Sequence, residues 1–158
     1  MPQVIEVEFD GRLELFEPGT GTMEELSLEV VQRRFGTDTS LFLFVRESER
    51  LFDCIVDQHC TALVAHRHQA VQVKVGYEHL EKRHDFPPSV TVFHVLQWAI
   101  GKHGFALDST ARSKANLVVS GDTAPLPRED VIGKFAHHHE LRLDLTLRDF
   151  TNGAQDAA

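Results

Sequence analysis

The sequence lacks long apolar runs, an excess of basic charge and a secretion signal. No apolar stretch approaches the ~20 residues that a membrane-spanning helix needs. The formal net charge is −8, whereas a general nucleic-acid-binding protein would present a basic face and a membrane-surface protein a polybasic patch. The opening residues, MPQVIEVEFDG, have neither the basic start nor the apolar core of a signal peptide. These absences predict a cytoplasmic protein with no nucleic-acid partner and no membrane partner.

Cysteine is scarce, with 2 residues in a chain of 158, and cytoplasmic thiols are normally reduced. With two histidines they form a string that invites a zinc hypothesis: Cys54, Cys60, His66 and His68. The spacing fits no common zinc site. We therefore expect two ordinary thiols, two surface histidines and no bound metal. Three further histidines, at 137–139, precede a strand pattern, and we expect a solvated turn there with weak adventitious metal affinity.

A recognisable set of catalytic residues is also missing. The sequence has no catalytic triad, no phosphate-binding loop and no pair of carboxylates with supporting context. Its composition, 42% hydrophobic and 25% charged residues, is ordinary for a folded globular protein. We therefore predict a folded protein that is not an enzyme and that uses no cofactor.

The first half of the chain has a clear order of secondary structure. Alternating or β-rich segments predict four strands, at 4–11, 12–16, 40–45 and 61–65. Asp10-Gly11 predicts a hairpin between the first two strands. Apolar residues at helical spacing predict a helix over 22–36, with Thr22 as its N-cap and Gly36 as its C-terminal stop.

The second half repeats this order. Four strands are predicted at 70–76, 79–86, 115–121 and 140–148. A helix is predicted over 91–104, capped by Thr91 and ended by Gly104, with Val92, Val95, Leu96 and Ala99 on its buried face. Residues 122–136 are predicted to form a loop with one short helical turn.

Two strands, a helix and two more strands is the order of a β-grasp domain. We predict an α+β protein with two tandem β-grasp domains, each a mixed sheet with one helix packed across it. The predicted domains are 1–67 and 68–148, followed by a flexible C-terminal tail, 149–158. The alternative is a single α+β domain with both helices on one larger sheet.

The second half resembles ubiquitin in pattern and local sequence. TVFHVLQWAIGKHG (91–104) is similar to ubiquitin's helix, and residues 115–148 are similar to its third strand, glycine turn, short helical turn and last strand. The tandem arrangement resembles the interferon-induced two-domain modifier of vertebrates and the two-domain bacterial ubiquitin-like proteins of antiphage operons. The resemblance implies a protein modifier of antiphage defence that is conjugated to a target protein lysine. It also implies an activating enzyme, a conjugating enzyme and a deubiquitinase-like peptidase as partners in trans.

The resemblance gives the tail a role. A ubiquitin-like modifier ends in a glycine whose carboxylate is adenylated, passed to an enzyme thiol and transferred to a lysine amine. Gly153 is the only glycine after the last predicted strand, and a residue without a Cβ lets the backbone approach a nucleotide and a cysteine closely. We predict Gly153 as the conjugation terminus, cleavage between Gly153 and Ala154 by a metal-dependent or cysteine peptidase, and 154–158 as a pro-segment.

Departures from ubiquitin predict dedicated partners. Asn152 replaces the first glycine of ubiquitin's terminal pair, and Thr146 stands where ubiquitin has an arginine that its activating enzyme recognises. Together with Arg148, these are the predicted contacts of a dedicated activating enzyme. On the predicted partner surface, Val118 fits ubiquitin's aliphatic patch but Asp144 replaces another aliphatic residue. Because a carboxylate would be desolvated against an apolar partner, we expect standard ubiquitin-binding domains to bind poorly.

Lysine is absent from the first half of the chain. All five lysines lie in the second half: Lys74, Lys82, Lys102, Lys114 and Lys134. The predicted first domain, 1–67, has six arginines and thirteen acidic residues, a net charge of −7. We interpret it as an acidic recognition or bulk-adding module, whose charge could steer a basic partner.

Two other functions stay open at this point. One is a β-grasp sulfur carrier, in which the terminal glycine becomes a thiocarboxylate, although such carriers usually have one domain. The other is a ubiquitin-like scaffold that is never conjugated and for which the tail is dispensable.

Overall fold

A computed structural model describes residues 4–16, 28–37, 40–52 and 62–147. The first half contains strands β1 (Ile5–Phe9), β2 (Arg12–Phe16), β3 (Phe42–Val45) and β4 (Ala62–His66), with helix α1 (Leu28–Phe35) between β2 and β3. The second half contains β5 (Val71–Tyr77), β6 (Leu80–Phe86), α2 (Val92–Ile100), α3 (Ser109–Lys114), β7 (Ala115–Val119), a 3₁₀ turn (Ile132–Lys134) and β8 (Glu140–Leu147).

The first sheet is mixed, with the strand order β2-β1-β4-β3. β1 pairs antiparallel with β2 and parallel with β4, while β3 pairs antiparallel with β4. The predicted hairpin is confirmed: Asp10 and Gly11 both have positive φ, 50° and 77°, as a tight two-residue hairpin turn requires.

The core of the first sheet lies on the side covered by α1. The clustered side chains come from every element of this half: Ile5, Val7, Phe9, Phe16, Val31, Phe35, Leu41, Leu43, Leu63 and Ala65. The rings of Phe9 and Phe35 meet edge to face, with centroids 5.2 Å apart, a favoured aromatic geometry. The period-two pattern of β1 thus places one of its faces in the core.

Gly36 ends α1, as the sequence predicts. It has a φ of +70°, and its N–H donates to the Arg33 carbonyl at 3.2 Å while the Thr37 N–H donates to the Gln32 carbonyl at 3.1 Å. This pair of hydrogen bonds is a Schellman motif. The predicted N-cap, Thr22, lies outside the described residues.

The second sheet repeats the topology of the first, with the order β6-β5-β8-β7. β8 lies inside this sheet, parallel to β5 and antiparallel to β7. Its alternating leucines, Leu141, Leu143 and Leu145, are buried, which confirms the prediction of one buried face.

Helix α2 covers the second sheet with the predicted face, since Val92, Val95, Leu96 and Ala99 are all buried. Its N-cap is confirmed: the Thr91 hydroxyl accepts from the His94 N–H at 3.2 Å. The predicted end was wrong. The helix stops at Ile100, and the N–H of Gly101 donates to the Trp98 carbonyl at 3.3 Å.

The protein therefore has an α+β fold of two tandem β-grasp domains, each a mixed four-stranded sheet with a helix. The alternative of one larger sheet is wrong for the described residues. Contacts divide the chain into two compact units: Met1–Val71 with Phe86–Val90 and Val131–His139, and Gln72–Asp85 with Thr91–Asp130 and Glu140–Ala158. The predicted boundary after residue 67 falls between β4 and β5.

Candidate functional site at the end of the last strand

Strand β8 leads directly toward the predicted conjugation terminus. Its last pair joins Leu147 to Ala115 of β7, and Gly153 follows six residues later in the sequence. Arg148, Asn152, Gly153 and Ala154 lie outside the described residues, so their roles stay predictions. The structure therefore defines the surface from which the tail departs.

Thr146 is the predicted activating-enzyme contact that the structure does describe. It pairs with Asn116 of β7, and its Oγ1 is buried without a hydrogen-bond partner among the described residues. An unpaired buried hydroxyl typically costs about 1–3 kcal/mol. Thr146 itself brings no charge to this strand end.

Val118 and Asp144 are cross-strand partners in the ladder between β7 and β8. Asp144 is exposed, and its Oδ1 accepts from the Ser120 hydroxyl at 3.2 Å. Val118 is only 3% exposed, and it forms an isolated bridge with Pro125. At this predicted partner surface the accessible group is therefore the Asp144 carboxylate.

Sequence reasoning missed helix α3, which immediately precedes β7. Its sequence, STARSK, has no apolar stripe and none of its residues is buried. The one available indication was Asp108, whose side chain caps the helix by accepting from the Ala111 N–H at 2.8 Å. α3 ends in Arg112 and Lys114 and packs against β8, so it brings cations to the strand that leads into the tail.

The lysines differ in how available they are. Lys74 Nζ lies 3.7 Å from Glu140 Oε1, and its side chain is 15% exposed. The other four are exposed: Lys82, Lys102, Lys114 and Lys134. These four are the accessible amines of the second half.

The histidines include one correction. His66 was expected at the surface, but it lies on β4 and is 8% exposed. Its Nδ1 accepts from the His68 N–H at 3.0 Å, and its burial lowers the pKa of the imidazole, chiefly through desolvation. A cavity of about 330 Å³ in the first unit is lined by Asp10, His66, Arg67, His68, Ala136 and His138.

The remaining parts of the metal hypothesis are as follows. Residues 137–139 are exposed and His138 has a φ of 60°, so they form the predicted solvated turn. Cys54 and Cys60 lie outside the described residues. Within the part of the chain that the structure describes, no group of three or more His, Cys, Asp or Glu side chains is placed to hold a metal ion.

Comparison with known families bears on the second sheet. Residues 72–148 match the family model for BilA ubiquitin-like domain 2. The match begins one residue into β5 and ends one residue after β8, so it includes α2, α3 and β7. Residues 72–148 are therefore similar to ubiquitin-like domains of the BilA type. Because the first sheet has the same strand topology, the protein has two ubiquitin-like domains in tandem.

The similarity to solved structures is weaker than the match to the family model. Among solved structures, the chain is similar to the ubiquitin of Caldiarchaeum subterraneum, with 13% sequence identity and a TM-score of 0.40, over 50% of this chain and 94% of that one. No curated protein matches the chain. None of the helices among the described residues is long and apolar enough to cross a membrane.

Proposed function

We propose that this protein is a ubiquitin-like modifier that is conjugated to target proteins in bacterial antiphage defence. The observation that best supports this function is the BilA-type ubiquitin-like domain at 72–148, whose last strand is followed by a tail containing Gly153. The protein itself is not an enzyme in this proposal. An activating enzyme, a conjugating enzyme and a deubiquitinase-like peptidase act on it in the cytoplasm.

The geometry of β8 fits this use of the tail. β8 pairs with β5 as far as Asp144 and with β7 as far as Leu147, and Leu141, Leu143 and Leu145 are buried, so the sheet anchors the strand that leads into the tail. Gly153 is the sixth residue after Leu147, and an extended chain of that length spans at most roughly 20 Å. An enzyme could therefore bind the terminus while the ubiquitin-like domain stays folded.

In the proposed reaction the modifier supplies only its C-terminal carboxylate. After the peptidase hydrolyses the bond between Gly153 and Ala154, the Gly153 carboxylate attacks the α-phosphate of ATP and displaces pyrophosphate. An enzyme thiolate then displaces AMP to form a thioester. Finally, a target lysine amine displaces the thiol and forms an isopeptide bond. Gly153 suits each step because it has no Cβ to obstruct the approaching nucleotide and thiol.

The test is an intact-mass measurement on the protein expressed together with its genomic neighbours. Wild type should lose its last five residues and form larger covalent adducts. The variant Gly153→Glu should form no adducts. As a matched control, a chain ending at Gly153 should form adducts without the peptidase.

The other outcomes are distinct. A free C-terminus in which sulfur replaces one carboxylate oxygen would favour the sulfur carrier. Wild type with neither processing nor adducts would contradict the proposal and leave the scaffold.

A further inference from the structure

Three cationic residues and one apolar side chain lie at the end of the ladder between β7 and β8: two of the cationic residues end α3, directly before Ala115, and the third, Arg128, donates to the Ala115 carbonyl. We call this the tail-base surface: Arg112, Lys114, Arg128 and Leu147. Ala115, the first residue of β7, lies at its centre because it pairs with Leu147 across the ladder. Its N–H donates to the Arg112 carbonyl, and its carbonyl accepts from Arg128 Nη2 at 3.0 Å.

The cations of the tail-base surface are available to a partner. All three are exposed, and within the described residues no carboxylate oxygen lies within 4.0 Å of their charged nitrogens. Arg112 is oriented by its Nε, which donates to the Leu107 carbonyl at 2.8 Å. Leu147 is 37% exposed, so the surface combines positive charge with an apolar centre.

The position of the tail-base surface limits which enzymes can bind it. Gly153 lies six residues beyond Leu147, and an extended chain of that length spans at most roughly 20 Å, so an enzyme that binds the Gly153 carboxylate must come within that distance of Leu147. The chain as a whole has a net charge of −8 and would repel an acidic enzyme over much of its surface. A local cluster of cations would instead attract and orient an acidic surface.

We propose that the tail-base surface is the docking site of the enzyme that activates Gly153, and that this enzyme presents carboxylates to Arg112, Lys114 and Arg128. This inference rests on the proposed function. It assigns α3, which has no buried residue, a role in partner recognition: it carries two of the three cations to the exit of the tail.

The test uses the activating enzyme found in the co-expression experiment. Its rate of ATP–pyrophosphate exchange is measured at increasing concentrations of the two-domain chain that ends at Gly153. The double variant Arg112→Glu/Lys114→Glu should raise KM for the modifier about tenfold or more, since reversed rim charges slow association. Its kcat should stay unchanged because the reacting carboxylate is untouched. Wild-type KM should rise with added salt, whereas the KM of the double variant should not.

Two controls separate docking from general charge effects. Lys82→Glu/Arg83→Glu makes the same charge change on β6, at the opposite edge of the sheet from β7, and should leave KM within twofold of wild type. Arg112→Lys/Lys114→Arg keeps both charges and should also stay within twofold. Circular dichroism would show that every variant is folded.

Several results would overturn the inference. An unchanged KM in the charge-reversed variant, or an equal rise in the β6 control, would exclude this docking site. Slower processing with normal exchange would assign the surface to the peptidase, and a lower KM would indicate that the chain's own tail occupies it. No exchange with wild type would instead refute the proposed function.

Discussion

Replacing Gly104 with alanine tests the packing at the end of α2. An added Cβ would lie 2.3 Å from the Ala99 carbonyl oxygen and 2.5 Å from the Trp98 carbonyl oxygen. Both obstacles are backbone atoms of the last helical turn, so no side chain can rotate away to make room. The turn is also fixed by the Phe105 N–H, which donates to the same Ala99 oxygen at 2.7 Å.

The expected cost follows from these contacts. Overpacking that shifts the backbone costs about 1–3 kcal/mol, and loss of the hydrogen bond from Phe105 adds about 1 kcal/mol. We therefore expect Gly104→Ala to lower the free energy of unfolding by about 3 kcal/mol. For a domain of this size, that corresponds to a fall in Tm of about 12–24 °C.

Urea unfolding and calorimetry would measure this loss, and hydrogen exchange in β7 and β8 would locate it. Gly121→Ala is the matched control, because a Cβ there meets nothing within 4 Å but the residue has a φ of +95°. Gly121→Ala should lower the free energy of unfolding only because alanine is strained at a positive φ, by about 1–2 kcal/mol. If Gly104→Ala is no more destabilising than Gly121→Ala, the steric argument is refuted.

Two further predictions concern single hydrogen-bonding groups. Thr91→Ala should lower the free energy of unfolding by about 1 kcal/mol through loss of the α2 N-cap, whereas Thr91→Ser should restore most of it in the same urea titration. For His66, burial holds the pKa below its ordinary 6.5, so the unfolded chain binds more protons between the folded pKa and 6.5. The free energy of unfolding should therefore fall as pH falls through that window, by at most about 1.4 kcal/mol per pH unit. His66→Asn, which keeps an acceptor for the His68 N–H but cannot be protonated, should flatten this dependence, and an unchanged slope would contradict the assignment.

Local patterns in the sequence determined most of the secondary structure. The alternation of leucines predicted the buried face of β8. Thr91 predicted the start of α2, and Gly36 predicted the end of α1. These features depend on residues close together in the chain, so their physical cause is visible in sequence. The order of elements then led to the tandem β-grasp fold, and the resemblance to ubiquitin led to Gly153.

Tertiary structure decided what depends on distant residues. The sequence placed the end of α2 at Gly104, but the close approach of Gly104 to Ala99 shows that this glycine serves packing after the helix has ended at Ile100. His66 looked like a surface residue, but it is buried, and Gly133, which is distant in sequence, lies close to its ring. Local patterns carry no information about such contacts.

The candidate site divides in the same way. The sequence predicts Gly153 as the conjugation terminus, because a glycine in a tail is a local feature. The cations beside the tail exit could not be found that way: Arg112 and Lys114 are on a helix without an apolar stripe, and Arg128 is distant in sequence. The ladder register that pairs Ala115 with Leu147 brings them together at the end of β8, since long-range strand pairing sets which loops and helices share an edge.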